Sequence, residues 1–256
     1  MVSTTSVSKK KAPWISLGYS AGFIFRYPKL MSVSILLIGL TALLTWVGAH
    51  FTLGLVDSYT GNFFVQPPVA DHFWKYPLVW GWYVLDWVFL FISRIIVFYL
   101  AFLLAYSLTS PGYAFLSILA GNRFTGKVRE GEAVMSLTGF LVDMWEGIKI
   151  GFVGVLATVL ALVVNFIPVI GQVSVFLIYV YYSTLMFIDF PSSRYRWSLG
   201  KKIGWIGTNR TASFRLGLFP ALLSMIPLVN IFFMALFFPL FTVYGTLNYL
   251  TIEGRT

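Results

Sequence analysis

The stretch Asn165-Phe166-Ile167-Pro168-Val169-Ile170-Gly171-Gln172 lies in the middle of an apolar run over residues 150–188. A related stretch, Met225-Ile226-Pro227-Leu228-Val229-Asn230, lies in the middle of a second apolar run over residues 216–252. In each, an Ile-Pro pair is followed within four residues by an amide side chain. Proline lacks a backbone N–H and clashes with the preceding turn, so a helix kinks or ends there. The two runs therefore predict two helical hairpins, broken at Pro168, Gly171 and Pro227.

Composition places the chain in a membrane. Of its 256 residues, 58% are hydrophobic and only 11% are charged, whereas soluble domains carry about a quarter charged residues. The chain has no cysteine, which excludes disulfides and thiolate metal sites. Two histidines, His50 and His72, are too few for an imidazole metal site. We therefore predict an all-α integral membrane protein with no metal and no cofactor.

Two long apolar segments predict full membrane crossings. Residues 31–56 contain no charged side chain over 26 positions, roughly 39 Å of helix against a hydrocarbon core of about 30 Å. Residues 78–108 form the second predicted span, and Ser110-Pro111-Gly112 is expected to end it. Arg94 lies inside this span, where a charge is costly unless it snorkels, is paired or faces water.

The hairpins are predicted over residues 150–188 and 216–252. The arms of the first, 18 and 16 residues, would measure about 27 and 24 Å, which suits deep but partial penetration. Amphipathic segments at residues 14–27 and 195–207 predict interfacial helices, and residues 140–149 predict a surface helix that leads into the first hairpin. Residues 1–13 are expected to be a mobile basic tail, and the whole chain a single membrane domain.

The distribution of cations predicts the orientation. The N-terminal segment holds five Lys or Arg residues, the loop after the second span three, the 190–215 loop six, and the 57–76 loop one. Cytoplasmic loops are enriched in Lys and Arg, so the N-terminus and the cation-rich loops are expected inside. Each hairpin must then leave and return on the same side. The basic, aromatic 190–215 loop fits an interfacial helix better than a nucleic-acid site.

Polar groups within the apolar runs are the candidates for function. Paired, proline-interrupted apolar segments are typical of transport sites, and neutral amides and cations can coordinate or attract a partly dehydrated anion. Each amide alone is more often a hydrogen bond between helices, and that alternative stays open. No Ser/His/Asp set or matched carboxylate pair is present, so an enzyme is not predicted. The candidate residues for an anion path are Arg26, Lys29, Arg94, Asn165, Gln172, Arg215 and Asn230.

Several segments, in order, resemble the bacterial CysZ sulfate-transport family and its wider etoposide-induced-protein superfamily. The segments are Gly18-Tyr19 before Pro28, Ser110-Pro111 with Phe124-Thr125-Gly126, residues 166–172, Asp189-Phe190-Pro191, Leu216-Gly217, and residues 225–230. The family motif Gly-Leu/Ile-Arg-Arg is replaced here by Lys29-Leu30-Met31-Ser32, and a family glutamate by Ile118.

The resemblance implies two long transmembrane helices, two partly penetrating hairpins and a homo-oligomer in the bacterial inner membrane. The implied function is a permease for sulfate, or a related small anion, that supplies cysteine synthesis. Its partners would be the anion and the lipid bilayer, with no nucleic acid. The alternative is a non-transporting scaffold or membrane-organising protein of the same fold.

Overall fold

The computed structural model describes residues 13–60, 68–69, 72–126, 137–226 and 229–254, and within them every regular element is helical. The all-α prediction is confirmed. The predicted tail lies outside the described residues except for Pro13. A single 3-10 turn, Phe73–Lys75, precedes the third helix. The helices are α1 Leu17–Arg26, α2 Pro28–Thr60, α3 Tyr76–Thr125, α4 Leu137–Val164, α5 Ile170–Ser193, α6 Leu199–Thr208, α7 Arg210–Ser224 and α8 Val229–Ile252.

Five segments of the described chain are long and apolar enough to cross a membrane, which makes this a multi-pass membrane protein. They are Pro28–Gly54, Phe73–Arg94, Thr138–Val164, Ile170–Ser193 and Phe233–Ile252. The first two correspond to the predicted long spans, and the other three belong to the hairpins.

Helix α3 does not end where the sequence predicted. It passes through Pro111 and continues to Thr125, for a total of 50 residues. The helix survives the proline because packing holds it on both sides: Tyr106 precedes Pro111, Tyr113 and Leu116 follow it, and all three are buried. At about 75 Å, α3 is far longer than the hydrocarbon core is thick. Gly126, with φ of 65°, then ends the helix in the left-handed conformation.

The first hairpin is longer than predicted. The expected surface helix at residues 140–149 is continuous with the first arm, so α4 runs for 28 residues, about 42 Å, and α5 for 24, about 36 Å. Residues 165–169 form the turn, in which Val169 has a φ of 64°. Gly171 follows at a point where a Cβ would overlap the carbonyl oxygen of Val164. By length, both arms can cross a bilayer.

The second hairpin is asymmetric. Helix α7 has 15 residues, about 22 Å, and α8 has 24, about 36 Å. Pro227 and Leu228 lie outside the described residues. Helices α5 and α7 approach closely because Gly217 lies directly against the carbonyl oxygen of Val180. The short arm of this hairpin, α7, is therefore held within the bundle by α5, the second arm of the first.

The core lies where α3, α5 and α8 meet. The ring of Phe238 is 4.5 Å from that of Tyr113 and 4.8 Å from that of Phe187, measured between centroids. Asn248 fixes the chain before α1 onto α8. Its side-chain oxygen accepts from the Ile15 N–H at 3.0 Å, and its amide nitrogen donates to the Ile15 carbonyl at 3.1 Å. This amide is an anchor between segments of the chain.

The three cation-rich segments meet at one end of the bundle. The Arg215 guanidinium carbon lies 5.6 Å from the ring centroid of Trp14, and that of Arg123 lies 5.5 Å from the Tyr27 ring. Arg194 donates to the side-chain oxygen of Asn122 at 2.7 Å. The segments expected on one side of the membrane are thus adjacent in space. We call this the cationic end.

Candidate functional site

Helix α4 turns its charged face into the bundle near the cationic end. The face that points inwards carries Glu146, Gly147 and Ile150, and the last two are buried. The apolar residues of the predicted amphipathic pattern face outwards instead, and Trp145 is 59% exposed. In a membrane the exterior is hydrocarbon, so a charged face is more stable when it is directed inwards to partners.

Four charged side chains form an ion cluster there. The Lys202 ammonium lies 2.6 Å from Asp189 Oδ1 and 3.1 Å from Glu146 Oε2. The other Glu146 oxygen lies 2.6 Å from the ammonium of Lys149. Side-chain exposure rises along this chain of contacts, from 0% for Lys202 to 42% for Lys149. The cluster therefore connects a fully buried cation to the protein surface.

Helix α6 carries Lys202 into the cluster. Its buried residues are Lys202, Trp205 and Ile206, which share one face. The indole N–H of Trp205 donates to Glu253 Oε1 at 2.8 Å, beyond the end of α8. The sequence predicted an interfacial helix here from its amphipathic pattern, and Ile203 is exposed. The pattern did not show that α6 docks through a lysine and an indole N–H, which are bound by carboxylates from other segments of the chain.

The cluster is charge-balanced. Burial alone would lower the pKa of Lys202, but the carboxylates of Asp189 and Glu146 outweigh it and raise the pKa above its ordinary value. The ammonium is therefore charged at neutral pH. Its stabilising contribution is fully present below the ordinary lysine pKa and is lost as pH rises through the raised one. Two carboxylates and two ammonium groups leave no net charge in the cluster.

A polar seam continues from the cluster between α3, α4 and α5. Small residues on α4 allow close approach: Gly147 lies against the side chain of Ser110, and Gly154 against the hydroxyl of Tyr182. The Tyr182 hydroxyl donates to the Ile150 carbonyl at 3.4 Å. The hydroxyl of Tyr106 is buried and has no hydrogen-bond partner among the described residues. These hydroxyls can donate to an anion if the seam opens.

The structure places the predicted cations at several different locations. Arg26 ends α1 and Lys29 lies in the first turn of α2, so they flank the same bend, and both are exposed. Arg94 is exposed on the half of α3 that lies outside the core. Arg215 is exposed on α7, beside Trp14.

The predicted amides lie elsewhere. Asn165 and Gln172 are exposed at the turn of the first hairpin, with Pro168 and Gly171 between them. Asn230 lies in the first turn of α8, and its side chain is outside the described residues. Pro227 is also outside them. Along α4, Glu146 and Val164 are about 27 Å apart. The hairpin turn and the ion cluster are thus at opposite ends of α4.

Sequence reasoning did not assemble the ion cluster. Glu146 and Lys149 were assigned to the polar face of a surface helix, Asp189 to the end of a hairpin, and Lys202 to a basic loop. Lys202 and Glu146 are 56 positions apart in the chain, so no local pattern pairs them. One signal was available in the sequence. The chain has only nine acidic residues, and Glu146, like Lys149, lies directly before the apolar run that begins at residue 150.

The family model described as sulfate transporter CysZ/etoposide-induced protein 2.4 matches residues 16–235. The chain belongs to this family. No curated protein matches the chain. The family match spans α1 to α7 and the start of α8, including the ion cluster and both proline breaks. At the α1–α2 bend, where the sequence lacks the family's arginine pair, Leu30 is buried in the core, and the cations present are Arg26 and Lys29.

Proposed function

We propose that this protein is a permease for sulfate, or a related small anion, in the bacterial cytoplasmic membrane, where it supplies sulfur assimilation as a homo-oligomer. The observation that carries the proposal is the family match, which covers most of the chain and both proline breaks. Paired broken helices are typical of transport sites. The cationic end, which is expected inside, would attract the anion electrostatically towards the cytoplasmic exit.

The ion cluster supplies a point of control for such a permease. Lys202 is fully buried and bound by Asp189 and Glu146, so an entering anion must compete with two carboxylates for the same ammonium. In the described arrangement the seam beside it is closed by the contacts of Gly147 and Gly154. We therefore expect conduction to require separation of α4 from α3 and α5, in addition to release of Lys202 on α6 from its carboxylates.

Uptake of radiolabelled sulfate into proteoliposomes tests the proposal. We expect time-dependent uptake above that of protein-free vesicles, reduced by an excess of unlabelled sulfate. Lys202→Gln should change the rate, whereas Lys201→Gln should not, because Lys201 is exposed beside Trp197. Failure of the folded wild-type protein to exceed protein-free vesicles with sulfate or any other small anion would reject a permease.

A non-transporting scaffold is the second candidate. The observation that favours it is the balanced charge of the ion cluster, which offers no net attraction to an anion, together with the separation of Arg94 from the cationic end. A scaffold would show no conductance for any small ion, and its function would survive Arg94→Ala. Electrical recordings from planar bilayers containing the protein distinguish the two functions.

A further inference from the structure

A cavity of about 500 Å³ opens at the start of α1. Its walls are largely apolar and include the aromatic rings of Trp14, Tyr19 and Phe124, and Ser16 and Thr251 add hydroxyl groups. Neither the ion cluster nor the hairpin turns contribute to it. Because α1 is a short amphipathic helix of a membrane protein, we expect its exposed face to lie where headgroups meet the hydrocarbon. The cavity would then open in the part of the bilayer where lipid headgroups are available.

Cations lie beside the cavity. The Arg215 guanidinium stacks over Trp14, a wall residue, at 5.6 Å. Arg123 directly precedes Phe124, another wall residue, and its guanidinium lies over Tyr27 at 5.5 Å. Arg215 and Arg123 are both exposed, so their charge is available to a ligand.

Three acidic side chains among the described residues of this end have partners away from the cavity. Glu253, two positions from the wall residue Thr251, accepts the indole N–H of Trp205. Asp189 and Glu146 are bound to Lys202. Within the described part of the chain, the charge beside the cavity is thus positive and is not offset by these carboxylates, which favours an anionic ligand with an apolar body.

We infer that the cavity binds one anionic phospholipid, such as phosphatidylglycerol. Its phosphate would lie beside Arg215, which can donate two parallel hydrogen bonds to it. Its glycerol and upper acyl carbons would pack on the aromatic walls. Occupancy would join α1 to α7, which are distant in sequence, and would stabilise the cationic end. The inference does not depend on anion transport.

Thermal unfolding of the full-length protein in detergent, with added lipid, tests the inference. We expect phosphatidylglycerol to raise the unfolding temperature by at least about 3 °C more than phosphatidylcholine at saturation. Native mass spectrometry should show one retained phosphatidylglycerol. Arg215→Gln should abolish most of both effects. Arg210→Gln is the matched control, because Arg210 lies on the same helix but contacts only the Gly207 carbonyl among its described hydrogen bonds.

Four results would overturn the inference. Equal stabilisation by the two lipids would remove the preference for an anionic headgroup. Equal losses in Arg215→Gln and Arg210→Gln would indicate diffuse surface charge. An equal effect of inorganic phosphate alone would indicate a site for a free anion. Loss of the effect on deletion of residues 1–12 would assign it to Lys9, Lys10 and Lys11. If Arg215→Gln unfolds, Arg215→Lys, which keeps the charge, should retain most of the lipid effect.

Discussion

At the scale of single residues, Lys202 is a charged side chain in the interior of the protein. Its ammonium is fully buried and bound by Asp189 and Glu146. Replacement by methionine keeps the volume but leaves Asp189 without its partner, while Glu146 keeps Lys149. Breaking a buried pair from one side costs about 3–5 kcal/mol. We expect Lys202→Met to lower the free energy of unfolding by about that amount, measured by denaturant or thermal unfolding in detergent micelles.

The neighbouring lysine is the control for this prediction. Lys201 is exposed, and its ammonium lies 4.5 Å from the ring centroid of Trp197, an interaction that contributes about 0.5–1 kcal/mol. Lys201→Met should therefore cost little. Adding Asp189→Asn to Lys202→Met should recover part of the loss, since one buried charge is then removed. Equal stability of the two single lysine variants would show that the ion cluster makes no net contribution.

At the scale of helices, glycines set how closely the two hairpins pack. A Cβ on Gly217 of α7 would overlap the carbonyl oxygen of Val180 on α5. This is backbone, so only a shift of a whole helix could relieve the clash. We expect Gly217→Ala to destabilise the protein by about 1–3 kcal/mol, visible as a lower unfolding temperature.

Gly204 on α6 is the matched glycine, because nothing lies within 4 Å of a Cβ built there. Alanine at a helical position without a clash gains about 0.5–1 kcal/mol over glycine. Gly204→Ala should therefore raise the unfolding temperature, while Gly217→Ala lowers it. A stabilised Gly217→Ala variant would mean that α5 and α7 can separate at no cost.

The helices themselves were largely predictable from sequence, and their ends and partners were not. Long uncharged runs indicate helices that can cross a bilayer, and the Ile-Pro pairs indicate breaks, because these are local properties of the chain. Pro111 shows the limit of local reasoning, since buried residues on both sides of it keep α3 intact. The pairing of Lys202 with Glu146 is a tertiary contact between distant segments, and the apolar pattern of α4 does not report it.

At the scale of the whole molecule, the two hairpins should differ in how deeply they enter the membrane. Ile170 lies about 28 Å along α5 from Asp189, close to the thickness of the hydrocarbon core. The exposed amides of Asn165 and Gln172 at the same turn are costly in hydrocarbon. Helix α7, in contrast, is about 22 Å long in total. We expect the first turn to reach the outer surface and the second to stop inside the bilayer.

Cysteine labelling measures this difference without background, because the native chain has no cysteine. With a membrane-impermeant maleimide on intact cells, Ile170→Cys should be labelled, and Ile226→Cys should react only after detergent is added.

Exposed positions at the two ends of the bundle determine the orientation of the protein in the membrane. Trp74→Cys should be labelled from outside and Thr208→Cys only after permeabilisation, since Thr208 ends α6 at the cationic end, which is expected inside. Labelling of both turn positions on intact cells would mean that both hairpins cross, and labelling of neither would mean that neither does.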